Sequence, residues 1–129
     1  MSQKIFIVED DAEYAEFIKM NLRRRYKIYS YANAEDCLTS LKSIMPDVLI
    51  LDYYLPGMSG IELYEKVKST LPEEVKVIIL SSMDDGNLVL DFIKKGIRDY
   101  VVKGDNVIET LIAIIEGEED VYLDSLFSD

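Results

Sequence analysis

The chain has 129 residues, of which 25 are acidic and 14 are basic, so its net charge at neutral pH is −11. This balance argues against a surface that binds nucleic acid or an anionic membrane, since phosphate contacts require clustered lysine and arginine. One basic run, 23–25, falls where the first helix is predicted to end, and cations complement the helix dipole there.

The length corresponds to a single domain, and the composition also indicates where the protein works. The apolar runs are far shorter than the about 20 residues that span a bilayer, and no apolar signal core precedes the first strand. The single cysteine, Cys37, fits a reducing compartment, so we expect a cytoplasmic protein. Because the chain has no histidine that could activate it, we expect Cys37 to be a small buried residue.

Short apolar stretches alternate with helical patterns five times along the chain. Three of the stretches are apolar without alternation, as in strands that helices cover on both faces. This arrangement predicts right-handed crossovers and a doubly wound α/β sheet with parallel strands. The predicted strands are 4–8, 27–31, 47–51, 75–80 and 99–102.

Apolar residues at spacings of three and four predict the helices between the strands. Asn33 marks the start of the second helix, and Ser59 with Glu62 forms a capping box for the third. Gly96 is placed to end the fourth helix. The apolar sets are Tyr14, Ile18 and Leu22; Leu38, Leu41 and Met45; and Leu63, Val67 and Leu71.

The last segment differs in composition from the rest. Residues 104–129 contain eight acids and neither lysine nor arginine. The apolar residues of the fifth helix wrap more than one of its faces, which indicates either a partner surface or coverage by the tail. We expect a domain over 1–117 and a tail over 118–129 that is a linker or an extra helix. The helical residues concerned are Val107, Ile108, Leu111, Ile112, Ile114 and Ile115.

Three acids in succession, Glu9, Asp10 and Asp11, follow the first strand. A helix cap explains one of them, most simply Asp11, but not all three. Carboxylates crowded at a strand end repel one another unless a cation offsets them, and Mg²⁺ suits such a site.

Asp52 ends an apolar strand and is followed by a loop with one proline and two glycines. A lone acid in this place could simply orient the loop. If the strands are ordered 2-1-3-4-5, however, Asp52 faces Asp10 across the crevice between the first and third strands. A carboxylate beside Mg²⁺ can attack phosphorus and become an aspartyl phosphate.

Ser81 and Lys103 follow the fourth and fifth apolar stretches. Ser81 could cap the fourth helix, as could Ser82, Asp84 or Asp85, and Lys103 could be an ordinary solvated residue. Among so many acids, the Lys103 ammonium is better explained as a counter-charge and phosphate contact. As a functional group, the Ser81 hydroxyl would donate to a phosphoryl oxygen. Neither residue is convincing alone, but the four strand-end positions together are.

These residues and their order resemble the receiver domain of two-component response regulators over about residues 3–116. The resemblance rests on the segments IFIVEDD, LDYYLPGMSG, IILSSMDD and GIRDYVVKG. It implies a flavodoxin-like α/β fold with five parallel strands in the order 2-1-3-4-5. It also implies a phosphorylation-activated signalling switch, not an enzyme beyond its own phosphorylation and slow dephosphorylation. A sensor histidine kinase, a phosphotransfer protein or a small donor such as acetyl phosphate would supply the phosphoryl group.

The resemblance also implies roles for the site residues. Asp52 would be the phosphoacceptor, and Mg²⁺ would be bound by Asp10, Asp52 and the backbone carbonyl of Tyr54, with Glu9 holding it through water. Lys103 would bind the phosphoryl group. Ser81 would be the switch residue, with Tyr100 changing rotamer beside it so that the surface of helix four, strand five and helix five rearranges. A simple strand-face aromatic is the other interpretation of Tyr100.

The sequence departs from the family pattern at two places. Gly104 follows Lys103 where many relatives have proline, and a cis bond before a residue other than proline costs ~3–4 kcal/mol, so we expect a trans bond. Helix five lacks the basic residues that form salt bridges in receiver dimers. If this chain forms a homodimer, we expect an apolar contact through helix five.

Two alternatives use the same residues differently. A phosphohydrolase with Asp52 as nucleophile would need a second aspartate two residues on, where Tyr54 stands, and an inserted cap for which the chain has no room. A phosphorylation-independent interaction module with the same fold would normally lack one or more pocket residues. The sequence does not identify the kinase, the output or a further domain.

Overall fold

A computed structural model describes residues 2–82 and 86–117, which form five strands and five helices in strict alternation. The strands are parallel and hydrogen-bonded in the order β2-β1-β3-β4-β5, which confirms the predicted fold and strand order. The elements are β1 (Lys4–Val8), α1 (Ala12–Leu22), β2 (Lys27–Tyr31), α2 (Ala34–Ser40), β3 (Val48–Asp52), α3 (Gly60–Val67), β4 (Lys76–Ser81), α4 (Gly86–Lys94), β5 (Asp99–Val102) and α5 (Val107–Ile115). Within the described segments, no helix is both long enough and apolar enough to cross a membrane.

The two faces of the sheet bury separate cores, because successive side chains of a strand point to opposite sides. On β1, Ile5 and Ile7 pack with residues of α1 and α5, whereas Phe6 and Val8 pack with residues of α2, α3 and α4. All four side chains are at most 1% exposed. This burial on both faces explains why the central strands are apolar without alternation.

Two strands extend one residue further toward their carboxyl ends than predicted. β3 covers 48–52 and β4 covers 76–81, because Asp52 pairs with Leu80 in the ladder and the Tyr53 amide donates to the Leu80 carbonyl at 2.8 Å. Ser81 is likewise paired, with Val102 of β5. Both polar residues therefore belong to the rigid sheet and not to the loops that follow it.

The predicted helix ends are confirmed at three places. The Asn33 side chain accepts from the amide of Asp36 at 2.8 Å and caps α2. Ser59 and Glu62 form the capping box of α3, each side chain accepting from the other residue's amide. Gly96 has a φ of 97° after α4, a backbone conformation that favours glycine at a helix end.

Two helices are shorter than their apolar spacing suggested. α2 ends at Ser40, and α3 ends at Val67. Met45 therefore lies beyond its helix and is 43% exposed, and Leu71 also lies beyond its helix, partly buried against the core. Both residues precede a proline, which disfavours a helical conformation at these two positions but does not account for the helix ends five and four residues earlier.

The apolar residues of α5 all contribute to the core on the α1 side of the sheet. Four of them are buried, and Ile108 and Ile112 are partly buried against the same cluster. Packing of α5 against both the sheet and α1 thus explains much of the apolar excess in this helix. The tail at 118–129, which was the other candidate to cover α5, lies outside the described residues.

Cys37 is fully buried in α2, as predicted. Burial raises the pKa of its thiol to about 12, so the group is neutral at physiological pH. A buried neutral thiol behaves as a small apolar side chain.

We predict that Gly60→Ala destabilises the protein, because a Cβ at this position would lie 2.4 Å from the Asp52 carbonyl oxygen. That contact forces α3 away from the end of β3, at a cost of about 1–3 kcal/mol. Urea denaturation measures the loss, and Gly104→Ala is the matched control, since its Cβ would meet nothing within 4 Å. Equal midpoints for the two variants would show that the close approach of α3 is not required.

We also predict that Tyr26→Phe lowers the free energy of unfolding by about 1 kcal/mol at pH 7. The Tyr26 hydroxyl donates to Glu116 Oε2 at 2.7 Å and ties the chain after α1 to the end of α5. Burial, followed by this hydrogen bond and the charge of Glu116, raises the pKa of Tyr26 from 10.0 to about 12.

The raised pKa gives this contribution a defined pH dependence. It is fully present below pH 10 and is lost as the pH rises through about 12, because the unfolded chain releases the proton first. Urea denaturation between pH 7 and pH 11 should show the wild type losing its advantage over Tyr26→Phe above pH 10. A pH-independent difference would contradict the assignment.

Candidate functional site

Acidic, hydroxyl and ammonium groups converge where four strands end. Asp52 and Ser81 are the last residues of β3 and β4, and Glu9 and Lys103 directly follow β1 and β5. The parallel register aligns these ends side by side, with β3 and β4 central to the arrangement. The structure therefore brings together the strand-end residues that the sequence singled out.

Lys103 is the centre of this cluster. Its Nζ donates to Glu9 Oε1 at 2.7 Å and to Asp52 Oδ2 at 2.8 Å. The side chains of Glu9 and Asp52 are only 1% and 6% exposed, against 20% for Lys103. The Lys103 amide also donates to the Ser81 carbonyl at 2.8 Å, which fixes its backbone to β4. One ammonium thus offsets two carboxylates that are shielded from water.

The environment shifts the pKa values of both partners. Burial, together with the nearby Asp52, raises the pKa of Glu9 to about 7, although the hydrogen bond from Lys103 acts against the shift. Burial alone would lower the pKa of Lys103, but its hydrogen bonds to Asp52 and Glu9 outweigh that effect and raise it. Lys103 is therefore firmly cationic, and Glu9 holds its negative charge less strongly than an exposed glutamate does.

The acids after β1 have different environments. Glu9 Oε2 accepts from the Asp11 amide at 3.1 Å, so both of its oxygens have partners. Asp11 caps α1 by accepting from the amides of Glu13 and Tyr14 at 3.0 and 3.2 Å, as expected for one of the three acids. Asp10 is exposed, and its carboxylate lies with those of Glu9 and Asp52.

Glu9, Asp10 and Asp52 form a group that could hold a metal ion. Each offers a carboxylate oxygen, and these three oxygens lie within 4.8 Å of one another. With Lys103 as the adjoining cation, the ionised cluster carries three negative charges and one positive charge. A divalent cation would balance it, and an all-oxygen donor set suits a hard ion. The residues present therefore fit such an ion.

The loop after β3 is held beside the acids by hydrogen bonds from two sides. The Tyr54 amide donates to Asp52 Oδ1 at 2.9 Å, which places the Tyr54 backbone at the acid cluster. Glu35, at the start of α2, accepts from the Met58 amide at 3.3 Å. Glu35 also packs against Gly57, whose φ of 71° favours glycine. Sequence reasoning missed the part played by Glu35, because nothing in its local pattern marks it.

Tyr100 belongs to a row of aromatic rings. It stacks on Phe92 with ring centroids 5.4 Å apart, and Phe92 meets Tyr53 edge-on at 5.5 Å. Tyr53 in turn contacts Tyr54 at 4.7 Å. The row connects β5 through α4 to the loop that follows Asp52.

Tyr14 of α1 also reaches the cluster, which the sequence pattern did not reveal. Its ring centroid is 4.5 Å from Lys103 Nζ, a distance typical of a cation–π contact. The helical spacing of Tyr14 marked it only as a core residue.

The peptide bond that follows Lys103 has the expected geometry. No cis peptide bond occurs among the described residues, so the Lys103–Gly104 bond is trans.

Comparison with known proteins agrees with this arrangement. The sequence pattern of the response regulator receiver domain matches residues 5–116. Chemotaxis protein CheY of Listeria monocytogenes is 34% identical over 114 residues, which cover 84% of this chain and 94% of CheY. Transcriptional regulatory protein AfsQ1 of Streptomyces coelicolor is 30% identical over 100 residues, 77% of this chain and 44% of AfsQ1. This chain therefore spans less than half the length of AfsQ1.

Solved structures show the same relationship. The BeF3-activated DrrB receiver domain is similar with a TM-score of 0.81 and 30% sequence identity, covering 93% of this chain and 99% of that one. The response regulator TrrA of Thermotoga maritima, in complex with Mg²⁺ and BeF, has a TM-score of 0.76 and 27% identity, covering 88% and 97%. The chain belongs to the response regulator receiver domain family of two-component systems, whose members are phosphorylation-activated signalling switches.

Proposed function

We propose that Asp52 is the phosphoacceptor of this receiver. The observation that carries the proposal is the position of its carboxylate, 4% exposed as a residue, between the Tyr54 amide and the Lys103 ammonium. A carboxylate oxygen of Asp52 forms the bond to phosphorus as the donor's P–N or P–O bond breaks. The leaving group is the histidine of a kinase or phosphotransfer protein, or the acetate of acetyl phosphate.

Mg²⁺ is the cofactor that we propose for the acid cluster. Asp10, Asp52 and the backbone carbonyl of Tyr54 would bind it directly, and Glu9 through water. The hydrogen bonds of Glu9 support this division, since its two oxygens already accept from Lys103 and from the Asp11 amide, whereas Asp10 is exposed. When bound, the ion would neutralise charge on the phosphoryl oxygens during transfer.

Lys103 and Ser81 respond to the phosphoryl group in this proposal. Once Asp52 becomes an acyl phosphate, its negative charge moves outward to the phosphoryl oxygens, and the Lys103 ammonium follows that charge. The Ser81 hydroxyl, at the buried end of β4, donates to a phosphoryl oxygen. Tyr100 changes rotamer beside it, and the surface of α4, β5 and α5 rearranges as a two-state switch.

The switching surface offers apolar contacts for a partner. Leu90 and Ile93 of α4 are 57% and 56% exposed, and Val102 of β5 is 36% exposed.

We propose a cytoplasmic receiver domain over 1–117 with a tail over 118–129 that is a linker or an extra helix. The net charge of −11 supports a protein partner and not nucleic acid for this segment.

The test is incubation of the protein with Mg²⁺ and acetyl phosphate, followed by intact mass measurement. We expect one phosphoryl group on the wild type, none on Asp52→Asn, and none when EDTA removes the metal. Asp11→Asn is the matched control, because asparagine caps a helix about as well as aspartate does and Asp11 lies outside the acid cluster.

Each other outcome assigns a different function. An adduct that persists in Asp52→Asn would place the phosphoacceptor elsewhere. Absence of both an adduct and any response to beryllofluoride would indicate a phosphorylation-independent interaction module. Turnover of many phosphate esters would indicate a phosphohydrolase.

We propose in addition that the activated protein dimerises through the apolar side of α5, where Ile108 and Ile112 are only partly buried. Sedimentation velocity should show association when Mg²⁺ and beryllofluoride are added, and Ile112→Arg should block it by placing a bulky charge within the apolar side of α5 that forms the contact. Thr39→Arg on α2 is the control, since it places the same charge at an exposed helix position away from α5. A monomer at high concentration after activation would refute the dimer.

A further inference from the structure

Tyr14 is a cluster residue to which the proposed function gives no role. It lies in the first turn of α1, where its amide donates to the capping carboxylate of Asp11 at 3.2 Å. This cap fixes the start of the helix and so places the Tyr14 ring beside the strand ends. The ring centroid is 4.5 Å from Lys103 Nζ, whose other close neighbours are the carboxylates of Glu9 and Asp52.

The hydroxyl of Tyr14 contributes nothing that explains this placement. Its oxygen is buried and has no hydrogen-bond partner in the part of the chain that the structure describes. A buried hydroxyl without a partner is unfavourable, so the favourable contribution must come from the ring. Burial raises the pKa of the phenol, against a smaller opposing effect of the Lys103 charge, so the ring that faces the ammonium is neutral.

We propose that Tyr14 is a positioning residue for phosphoryl transfer: its ring face holds the Lys103 ammonium at the strand ends, in reach of a phosphoryl group on Asp52. This inference rests on the proposed role of Asp52. The two carboxylates hold the ammonium only while they keep their negative charge, and Asp52 loses that charge when it is phosphorylated. The ring attracts the ammonium in both states, because its quadrupole does not change. Lys103 therefore stays ordered while its hydrogen bonds are exchanged.

A purely structural role for Tyr14 predicts different behaviour. Tyr14 packs against the core on the α1 side, and its ring contacts that of Phe17 at 5.8 Å. If only packing mattered, an aliphatic side chain of similar size would serve Lys103 as well as a ring does. Tyr14→Phe keeps the ring and removes the unpartnered hydroxyl, whereas Tyr14→Leu and Tyr14→Met keep apolar volume and remove the ring.

The first measurement is the NMR signal of the Lys103 side chain in protein labelled at lysine. We expect the ring current to shift the methylene protons beside Nζ in the wild type and in Tyr14→Phe. The shift should vanish in Tyr14→Leu and Tyr14→Met. It should persist in Phe17→Leu, the matched control, which removes a neighbouring α1 ring that is 44% exposed. Persistence of the shift in both aliphatic variants would overturn the inference.

The second measurement is the rate constant for phosphorylation by acetyl phosphate at saturating Mg²⁺, with Mg²⁺ affinity measured separately. We expect Tyr14→Leu and Tyr14→Met to react roughly fivefold more slowly, the effect of losing one partly buried cation–π contact. Mg²⁺ affinity should stay the same in these variants, and Tyr14→Phe should react at the wild-type rate. Having two aliphatic variants keeps the test valid if one of them does not fold.

The outcomes separate this inference from the function on which it rests. No phosphoryl group on the wild type would overturn the proposed function, and the role of Tyr14 with it. A wild-type adduct that forms equally fast in both aliphatic variants would overturn the role of Tyr14 alone. Tyr14→Phe reacting as slowly as Tyr14→Leu would assign the effect to the hydroxyl, contrary to the inference.

Discussion

The site depends on one interaction, the pairing of the Lys103 ammonium with the carboxylates of Glu9 and Asp52. Two acids that are 1% and 6% exposed on neighbouring strands repel each other, and burying such charges without a partner is strongly unfavourable. The cation that offsets them follows β5, 94 residues after Glu9 in the chain. The edge strand must therefore dock on β4 before the acids at the centre of the sheet have their counter-charge.

The positive charge of Lys103 does not neutralise the whole cluster, and the remaining negative charge is what can attract a metal ion. The ionised cluster has three carboxylates and one ammonium, so it still favours a cation, and under the proposed function Lys103 would hold the Asp52 carboxylate in place for a phosphoryl donor. A covalent change at Asp52 removes one of the two charges that hold Lys103. The Lys103 amide is bonded to the Ser81 carbonyl, so in the proposed switch a backbone shift at Lys103 would also displace the end of β4. The electrostatics that stabilise the resting site thus also make it responsive.

The sequence predicted the site to the extent that topology determines it. Residues at the ends of parallel strands must meet once the strand order is known, so the convergence of Asp52, Ser81 and Lys103 could be predicted from the apolar runs together with that order. Contacts that depend on side-chain direction could not, which is why Tyr14 and Glu35 were missed. Both residues lie on helices, where the spacing of apolar residues indicates which side packs on the sheet but not which side chains contact a neighbouring loop. The lengths of α2 and α3 were overestimated for another reason, because the apolar spacing continues to residues 45 and 71, beyond the ends of the two helices. Each of these residues precedes a proline, which disfavours a helical conformation there.

The row of aromatic rings shows how a change at the acids can reach the surface. Phe92 is 3% exposed and has Tyr53 on one side and Tyr100 on the other. A close-packed ring cannot yield to one neighbour without pressing on the next, since protein cores have few voids. In the proposed switch, the contacts of Phe92 with Tyr53 and Tyr100 would carry a movement of the loop after Asp52 through α4 to β5. The exposed apolar residues Leu90 and Ile93 lie on the same helix as Phe92, so a shift of that ring would also displace the surface that we propose for a partner.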